Sequence, residues 1–259
     1  SVKKIFYLKK RPAFNPLIIH FKNLNDLKNN VVLNNNFTKL YRVFCPGPIT
    51  FILKKKEKSK ISKIATAGKK TVAVRIPKHE VARNLLSILK FPLAAPSANI
   101  ASKLSPTSAK DVVDEFGNKV KLVLDGGQCR IGIESTIIDL TGSPVVLRPG
   151  SITTEKIRKV LKKKIRIEKN FRTVISPGQL KLHYSPGIPV KMNKKYAKKD
   201  QALICFGKNF KVKKNYFNLS KKSNLKEAAN NLYKIMRKIK KRNFESIAVT
   251  KIPNIGIGR

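Results

Sequence analysis

Basic residues near the start of the chain could bind a triphosphate. Lys9 and Arg11 stand two positions apart and lead, through Asn15, into an apolar run that contains His20. Arginine can hold two phosphate oxygens at once, whereas lysine acts as a point charge. In a chain this basic the cluster is a weak signal alone, and His20 by itself is better explained as a hydrogen-bonded core histidine.

A second chemical signal is an arginine inside a strand-like run. Period-two alternation along residues 71–76 puts Thr71, Ala73 and Arg75 on one face. Burying an arginine between valine and isoleucine costs free energy unless the guanidinium meets an anion. A ligand carboxylate or a structural glutamate would satisfy it, and the scarcity of acidic residues, 14 against 57 lysines and arginines, favours a ligand.

Small polar residues form a third cluster. Ser97 and Asn99 lie in a Pro-Ser-Ala-Asn run, and Ser105 precedes Pro106 at the predicted start of a helix that Gly117 ends. Hydroxyls and backbone N–H groups at a helix N-terminus form an anion site. Capping by Ser105 is the simpler explanation, and capping and phosphate contact can coexist.

A predicted hairpin would join two further polar residues. The runs 134–139 and 147–150 are typical of adjacent strands, and a Thr-Gly-Ser turn at 141–143 connects them. Such a hairpin brings Ser135 and Arg148 to the same end of a sheet. An ordinary hairpin with a surface arginine is the alternative.

Two loops that contain proline complete the set. Residues 46–50, Pro-Gly-Pro-Ile-Thr, predict mainly a rigid turn into a strand. Residues 183–186, His-Tyr-Ser-Pro, place the hydroxyl of Tyr184 in a pinned loop. Tyr184 could close over a nucleotide or could anchor the loop by packing.

The elements that must position these residues alternate along the chain. Helices are predicted at residues 2–10 and 106–117, directly after Thr153, and along residues 225–239. Runs rich in Val, Ile and Thr predict strands at residues 17–21, 50–53, 71–76, 122–125, 135–140, 144–148, 201–206 and 246–249.

This alternation indicates the α/β class. We expect a catalytic domain at residues 1–165, a linker or lid at 166–190, and a small α/β domain with a parallel sheet at 191–259. Both ends of the sequence look cut, so we expect a fragment.

Composition bounds the function. The formal net charge of +43 favours polyanions such as RNA, although lysine is abundant throughout and much of it is expected to be solvated surface. Cys45, Cys129 and Cys205 are far apart, which suits a reduced, cytoplasmic compartment. No apolar run approaches the ~20 residues that cross a bilayer, and Walker-type, kinase and zinc-ligand motifs are absent from the sequence.

Taken in order, these clusters resemble the YrdC-like threonylcarbamoyl-AMP synthase family in its long form, which adds a linker and a C-terminal domain. The resemblance covers residues 1–186 well and the remainder more loosely. It implies a twisted, open mixed sheet with a large basic concave cavity, followed by a small, incomplete Rossmann-like domain. The family's N-terminal motif, which supplies a threonine contact, is missing here. The matching motifs are Lys-x-Arg-Pro-x-x-Asn-Pro-Leu-x-x-His, Pro-Gly-Pro-x-Thr, Val-x-Val-Arg-x-Pro, Ser-Ala-Asn with Ser-Pro-Thr, Ser-Thr-Ile-x-Asp and Leu-Arg-Pro-Gly.

The resemblance also implies a reaction. L-Threonine, bicarbonate and ATP would give threonylcarbamoyl-AMP and pyrophosphate, and no protein metal site would be needed because phosphates hold the Mg²⁺. The product would serve tRNA modification by downstream threonylcarbamoyl transferase proteins, away from any membrane. Lys9 and Arg11 would be catalytic. The residues implied for ATP are Arg11, Asn15, Thr71, Ser97, Ser105, Arg148 and Tyr184, and those implied for threonine are His20, Arg75, Ala95 and Ser135.

Two alternatives remain at this point. A non-catalytic module that binds double-stranded RNA or tRNA would also suit the charge, and it predicts exposed basic residues on one face. Catalysis instead predicts that His20, Arg75, Ser135 and Arg148 converge. A carbamoyl-transfer enzyme of hydrogenase maturation is less consistent, since zinc-finger and acylphosphatase segments do not occur in the sequence.

Overall fold

A computed structural model gives the fold for residues 2–168, 174–179 and 183–258. Its helices are α1 (Val2–Lys9), α2 (Leu24–Lys28), α3 (Asn35–Phe44), α4 (Glu80–Ile88), α5 (Ala109–Phe116), α6 (Thr154–Leu161) and α7 (Leu225–Lys240). Its strands are β1 (Ile18–His20), β2 (Ile49–Lys54), β3 (Thr71–Arg75), β4 (Leu93–Ala94), β5 (Thr136–Asp139), β6 (Val145–Arg148), β7 (Arg166–Ile167), β8 (Val190–Lys191), β9 (Gln201–Cys205), β10 (Tyr216–Asn218) and β11 (Ser246–Val249). Within these ranges no helix is long and apolar enough to cross a membrane.

The chain divides into two compact units. The first comprises Ser1–Ala101 and Glu134–Lys181, and the second comprises Ser102–Ile133 and Leu182–Arg259. The chain therefore leaves the first unit, contributes a segment to the second, and returns before it ends in the second. The domains predicted from the sequence, with boundaries at residues 165 and 190, are each one continuous segment, and those boundaries remain a prediction.

The first unit is built on a seven-stranded mixed sheet. The strand order is β4-β1-β3-β2-β5-β6-β7. The pairs β1–β3, β2–β5 and β6–β7 are parallel, and β1–β4, β2–β3 and β5–β6 are antiparallel. The α/β class predicted from the sequence is confirmed.

One face of this sheet carries the main core of the unit. Alternate strand residues such as Val74 and Ile138 pack there with residues of α2, α3 and α6. The Phe37 and Phe51 rings meet edge to face at 4.9 Å. Each such fully buried apolar side chain contributes about 1.5–3 kcal/mol. The N-terminus of α3 is fixed by Asn34, whose side chain accepts a hydrogen bond from the Phe37 amide.

The opposite face carries a smaller apolar layer, which we call the floor. Because side chains alternate along a strand, Ala73 belongs to the floor while its neighbours Val72 and Val74 belong to the main core. The floor consists of Ile18, Ile52, Ala73, Ile137 and Leu147.

The second unit contains a four-stranded sheet in the order β10-β9-β11-β8, and its pairs are all parallel. The apolar stripe of α7 packs on one face of this sheet, and Ile239 there is fully buried. The guanidinium of Arg237 donates to the carbonyls of Leu104 (2.7 Å) and Ser105 (3.2 Å). It also lies 3.8 and 3.9 Å from carboxylate oxygens of Asp111 and Glu115. These contacts hold the Ser102–Ile133 segment to α7.

Two local predictions are wrong. Residues 122–125 form no strand, and Leu122 and Leu124 are 74% and 50% exposed. Their β propensity finds no neighbouring strand to pair with in the described part of the chain. Ser105 does not cap α5: the hydroxyl of Ser108 accepts from the Asp111 amide, while the Asp111 carboxylate accepts from Thr107. This reciprocal capping fixes the start of the helix at Ala109.

Candidate active site

Several strand ends of the first sheet meet at one edge. The parallel strands β1 and β3 pair His20 with Arg75 at their last residues. β2 is antiparallel to β3 and parallel to β5, and β6 is antiparallel to β5. The last residues of β1, β3 and β6 therefore share an edge with the first residues of β2 and β5. This topology brings Ser135 and Arg148 to the edge that holds His20 and Arg75.

The polar side chains at this edge share a face with the floor. Residues two apart on a strand point to the same side of the sheet. The polar residues stand two positions from floor residues, as His20 with Ile18, Thr50 with Ile52, Arg75 with Ala73, and Ser135 with Ile137. Arg148 joins them through its hydrogen bond to Ser135, after a register shift in the β5–β6 pair, although the residue two positions before it, Val146, belongs to the main core. We call His20, Thr50, Arg75, Ser135 and Arg148 the arginine edge.

Ser135 is the hydrogen-bonding centre of the arginine edge. Its carbonyl accepts from Nε (3.1 Å) and Nη2 (2.9 Å) of Arg148, and its hydroxyl oxygen lies 3.0 Å from Nη2. The same hydroxyl lies 2.7 Å from the hydroxyl of Thr50. Ser135 and Thr50 are 3% and 0% exposed. The guanidinium of Arg148 is thus held beside a buried pair of hydroxyls.

Arg75 is a largely buried cation. Its Nε donates to the Gly47 carbonyl at 3.1 Å, and across the described residues no acidic side chain pairs with it. Burial, and then the positive charge of Arg148, lower the pKa of Arg75 to about 10, while Cys45 opposes the shift. Arg75 is therefore charged at neutral pH, and an anionic ligand would compensate the cost of its burial.

His20 is a neutral group at the same edge. Burial, and then the neighbouring Arg75, lower the pKa of His20 to about 3, against a hydrogen bond with the Ile18 backbone. Its Nδ1 is buried without a hydrogen-bond partner among the residues described. The imidazole can therefore offer a hydrogen bond to a ligand, but no charge.

Lys9 organises the Ser-Ala-Asn loop. Its ammonium group donates to the carbonyls of Ser97, at 2.5 Å, and Asn99. Its own carbonyl accepts from the Ala101 amide at 2.7 Å. Lys9 is only 5% exposed, so its charge is held by the loop. The predicted contact of Lys9 with phosphate remains a prediction.

Arg11 and Asn15 form one hydrogen-bonded unit ahead of β1. Nε of Arg11 donates to the Asn15 carbonyl (2.9 Å), and Nη2 donates to Oδ1 of Asn15 (2.6 Å) and to the Pro16 carbonyl (2.7 Å). Asn15 is 2% exposed. We call Lys9, Arg11, Asn15 and Ser97 the loop cluster.

The remaining predicted residues of the first unit lie toward the start of β1 and β3. Thr71 begins β3, four residues before Arg75, so the rise of a strand separates the two by ~13 Å. Ala95, predicted for threonine, donates its amide to the Ile18 carbonyl at 3.0 Å. The predicted residues thus lie toward two ends of the strands rather than at one point.

Ser105 and Tyr184 belong to the second unit. Ser105 is buried, and its carbonyl accepts from Arg237. The Tyr184 ring lies 5.5 Å from the ring of Tyr233 and 3.8 Å from that of His183. Its backbone has a φ of 58°, which is uncommon for a bulky residue.

A short segment of the linker lies on the floor. Ile175 packs against it, and Ser176 is fully buried. Oε1 of Gln179 accepts from the amides of Ile175 (2.7 Å) and Ser176 (3.0 Å), which closes a tight loop. Oγ of Ser176 and Nε2 of Gln179 are buried without hydrogen-bond partners in the described ranges. Residues 169–173 and 180–182 of the predicted lid lie outside the described residues.

The Pro-Gly-Pro-Ile-Thr run contributes more than the rigid turn that its sequence predicts. Gly47 supplies the carbonyl that holds Arg75, and Thr50 supplies the hydroxyl that meets Ser135. The available signal was the alternation along β2, which puts Thr50 on the same face as Ile52.

A cavity of about 870 Å³ lies elsewhere in the first unit. Ile19 and Phe21, which belong to the main core, line it together with Lys22, Lys60 and Lys90. None of the residues predicted for ATP or threonine lines this cavity. The arginine edge is therefore distinct from it.

Two family models match the chain. Residues 1–150 match the Sua5/YciO/YrdC model, described as "Telomere recombination". Residues 152–259 match the model described as "Threonylcarbamoyl-AMP synthase, C-terminal domain".

Individual proteins show the same similarity. A threonylcarbamoyl-AMP synthase of Pyrococcus abyssi is 44% identical over 200 residues, which cover 73% of this chain and 57% of that protein. A threonylcarbamoyl-AMP synthase of Schizosaccharomyces pombe is 36% identical over 233 residues, which cover 77% of this chain and 57% of that protein. The chain thus spans a little over half the length of these relatives. A crystal structure of P. abyssi Sua5 complexed with L-threonine superposes with a TM-score of 0.90 and 35% identity, over 99% of this chain and 81% of that one.

Proposed function

Because the chain belongs to the Sua5/YciO/YrdC family, we propose that the whole protein is an L-threonylcarbamoyladenylate synthase. It would convert L-threonine, bicarbonate and ATP to threonylcarbamoyl-AMP and pyrophosphate. The observation that carries this proposal is the convergence of His20, Arg75, Ser135 and Arg148 at one sheet edge. The similar structure that contains L-threonine supports it.

The arginine edge would hold the amino acid. Arg75 is charged, largely buried and without an acidic partner among the described residues, so a carboxylate would satisfy it. Neutral His20 and the Ser135 hydroxyl would contribute hydrogen bonds beside it. The backbone of Ala95 would complete the threonine site.

The loop cluster would hold the nucleotide. Arg11 and Lys9 are fixed by hydrogen bonds to Asn15 and to the Ser97 loop, so their positive charges are preorganised. Arg148 would add a guanidinium from the arginine edge. Thr71 would be a further ATP contact within the first unit, and the ATP roles of Ser105 and Tyr184, which belong to the second unit, stay predictions from the sequence.

The chemistry needs positioning rather than a covalent intermediate. The amine of threonine captures carbon dioxide derived from bicarbonate and loses a proton, which gives a carbamate. A carbamate oxygen then attacks the α-phosphorus of ATP, and pyrophosphate leaves. Alignment of two bound reactants can contribute ~7–11 kcal/mol. The cations at Arg11, Lys9 and Arg148 would stabilise charge that develops on the phosphates.

Magnesium would enter with ATP. In the described ranges no three His, Cys, Asp or Glu side chains are grouped to hold a metal ion, and the candidate site is lined by cations. Phosphate oxygens and water would therefore be its main ligands, and it would neutralise phosphate charge.

We also propose that the protein acts in the cytoplasm and that tRNA and a downstream transferase receive the product. The net charge of +43 favours an encounter with tRNA.

Pyrophosphate release from ATP, measured with and without L-threonine and bicarbonate, tests the proposal. We expect release that depends on both. Pyrophosphate release at the same rate with and without L-threonine would contradict the assignment. RNA binding without any pyrophosphate release would support the non-catalytic alternative instead.

A further inference from the structure

We propose that Thr50 is a positioning residue, which turns the hydroxyl proton of Ser135 toward an oxygen of the bound amino acid. This inference rests on the proposed function and adds a residue to it. It is carried by the hydrogen-bond capacity of the buried pair of hydroxyls at the arginine edge.

The hydroxyl of Ser135 has one proton to donate and two lone pairs to accept with. A guanidinium can only donate, so Nη2 of Arg148, at 3.0 Å, occupies one lone pair. The hydroxyl of Thr50 lies 2.7 Å from the same oxygen. Distance alone leaves open which of the two hydroxyls donates to the other.

The ligand decides the direction. Both hydroxyls are buried, with Thr50 0% and Ser135 3% exposed, so one proton of the pair lacks an acceptor within the described chain whichever hydroxyl donates. Leaving that proton unpaired is unfavourable by about 1–3 kcal/mol. On Thr50 it would stay unpaired, because within the described chain the Thr50 hydroxyl has Ser135 as its hydrogen-bond partner. On Ser135, beside the Arg148 guanidinium, a bound anion can accept it, so Thr50 donates when the ligand is bound and fills the second lone pair of Ser135. The proton of Ser135 is then directed to a group outside this pair.

The surroundings define the acceptor. Arg148 stands close enough to Arg75 that its charge lowers the pKa of Arg75. A hydroxyl proton beside the Arg148 guanidinium, at the edge that also holds Arg75, suits an anionic oxygen, so the ligand atom is a carboxylate or carbamate oxygen of the amino acid. The function of Thr50 is then to keep Ser135 a donor.

The test separates the hydroxyl of Thr50 from its volume. Thr50→Val keeps the volume and removes the hydroxyl, and Thr50→Ser keeps the hydroxyl and removes a methyl group. Thr66→Val is the matched control, because Thr66 is 1% exposed and its hydroxyl bonds to the Lys63 carbonyl, away from the arginine edge. L-Threonine affinity is measured by titration calorimetry, and unfolding midpoints verify that each variant folds.

We expect Thr50→Val to weaken L-threonine binding ~10-fold, the scale of one hydrogen bond to a charged group. Thr50→Ser should restore the affinity, and Thr66→Val should leave it unchanged. In a Ser135→Ala background, Thr50→Val should have no further effect, since Thr50 acts through Ser135.

Two results would overturn the inference. The first is a Thr50→Val protein whose threonine affinity equals that of Thr66→Val. The second is a full, additive loss from Thr50→Val when Ser135 is already alanine, which would indicate a general structural role. A wild-type protein with no affinity for L-threonine would overturn the proposed function itself, and this inference with it.

Discussion

Replacement of Arg75 by methionine should separate ligand binding from stability. The change keeps an unbranched stem as far as the position of Nε and removes the charged guanidinium, which folding transfers out of water. The pKa of Arg75 falls from 12.5 to about 10, which corresponds to about 3 kcal/mol of unfavourable free energy in the folded state. Because this base has a lower pKa in the folded chain, the cost is fully present at pH 7 and is relieved only above about pH 10.

The opposing effect is the loss of one hydrogen bond. Nε of Arg75 donates to the Gly47 carbonyl, and a bond from a charged donor contributes about 1.5–3 kcal/mol. The two effects largely cancel, so the free energy of unfolding should change by no more than about 1.5 kcal/mol. L-Threonine binding should weaken ~100-fold, because the ligand carboxylate loses its charge-assisted partner.

Urea unfolding at pH 7 and calorimetric titration with L-threonine measure the two quantities. Arg42→Met is the control, since Arg42 is exposed on α3. A loss of several kcal/mol in Arg75→Met would show that the arginine is structural. Unchanged threonine affinity would refute its assignment as the carboxylate partner.

Three further predictions follow from the described contacts. Arg11→Ala should abolish pyrophosphate release that depends on threonine, while Lys10→Ala, at the exposed neighbouring position, should not. The pKa of His20 is about 3 in the folded chain and 6.5 in the unfolded chain, so the unfolded chain binds more protons as the pH falls below 6.5. The free energy of unfolding should therefore drop by about 2 kcal/mol between pH 7 and pH 5. Urea unfolding of His20→Gln should lack this pH dependence. Arg237→Ala should lower the free energy of unfolding by about 3 kcal/mol, whereas Lys238→Ala, exposed on the same helix, should change it little.

Local patterns predicted most of the fold because its strands obey the alternation rule. β3 is an example: Val72 and Val74 enter the main core while Ala73 joins the floor, as the period of two requires. Residues 122–125 are likewise rich in residues that favour strands, but they have no partner strand in the described chain. A prediction from β propensity alone was therefore wrong there. The cap of α5 was misplaced because Ser105 and Ser108 are both good caps, and only the Asp111 carboxylate selects between them.

Long-range contacts were harder to predict. The positions of Ser135 and Arg148 followed from a hairpin, which is local in sequence. The partnership of Thr50 with Ser135 joins positions 85 apart, and no local pattern contains it. The grouping of Ser102–Ile133 with the second unit also depends on distant partners, through Arg237 and the acidic side chains of α5.

The order of the strands has a consequence for synthesis on the ribosome. β2 pairs on one side with β3 and on the other with β5, which emerges only after Ser102–Ile133 has been made. Until then β2 is an open edge, with unpaired backbone groups that invite association with other chains. Ser135 and Arg148 arrive with β5 and β6, so a nascent chain that stops before them has neither a closed sheet nor its arginine edge. Premature termination there should yield aggregates instead of a folded protein with weakened ligand binding.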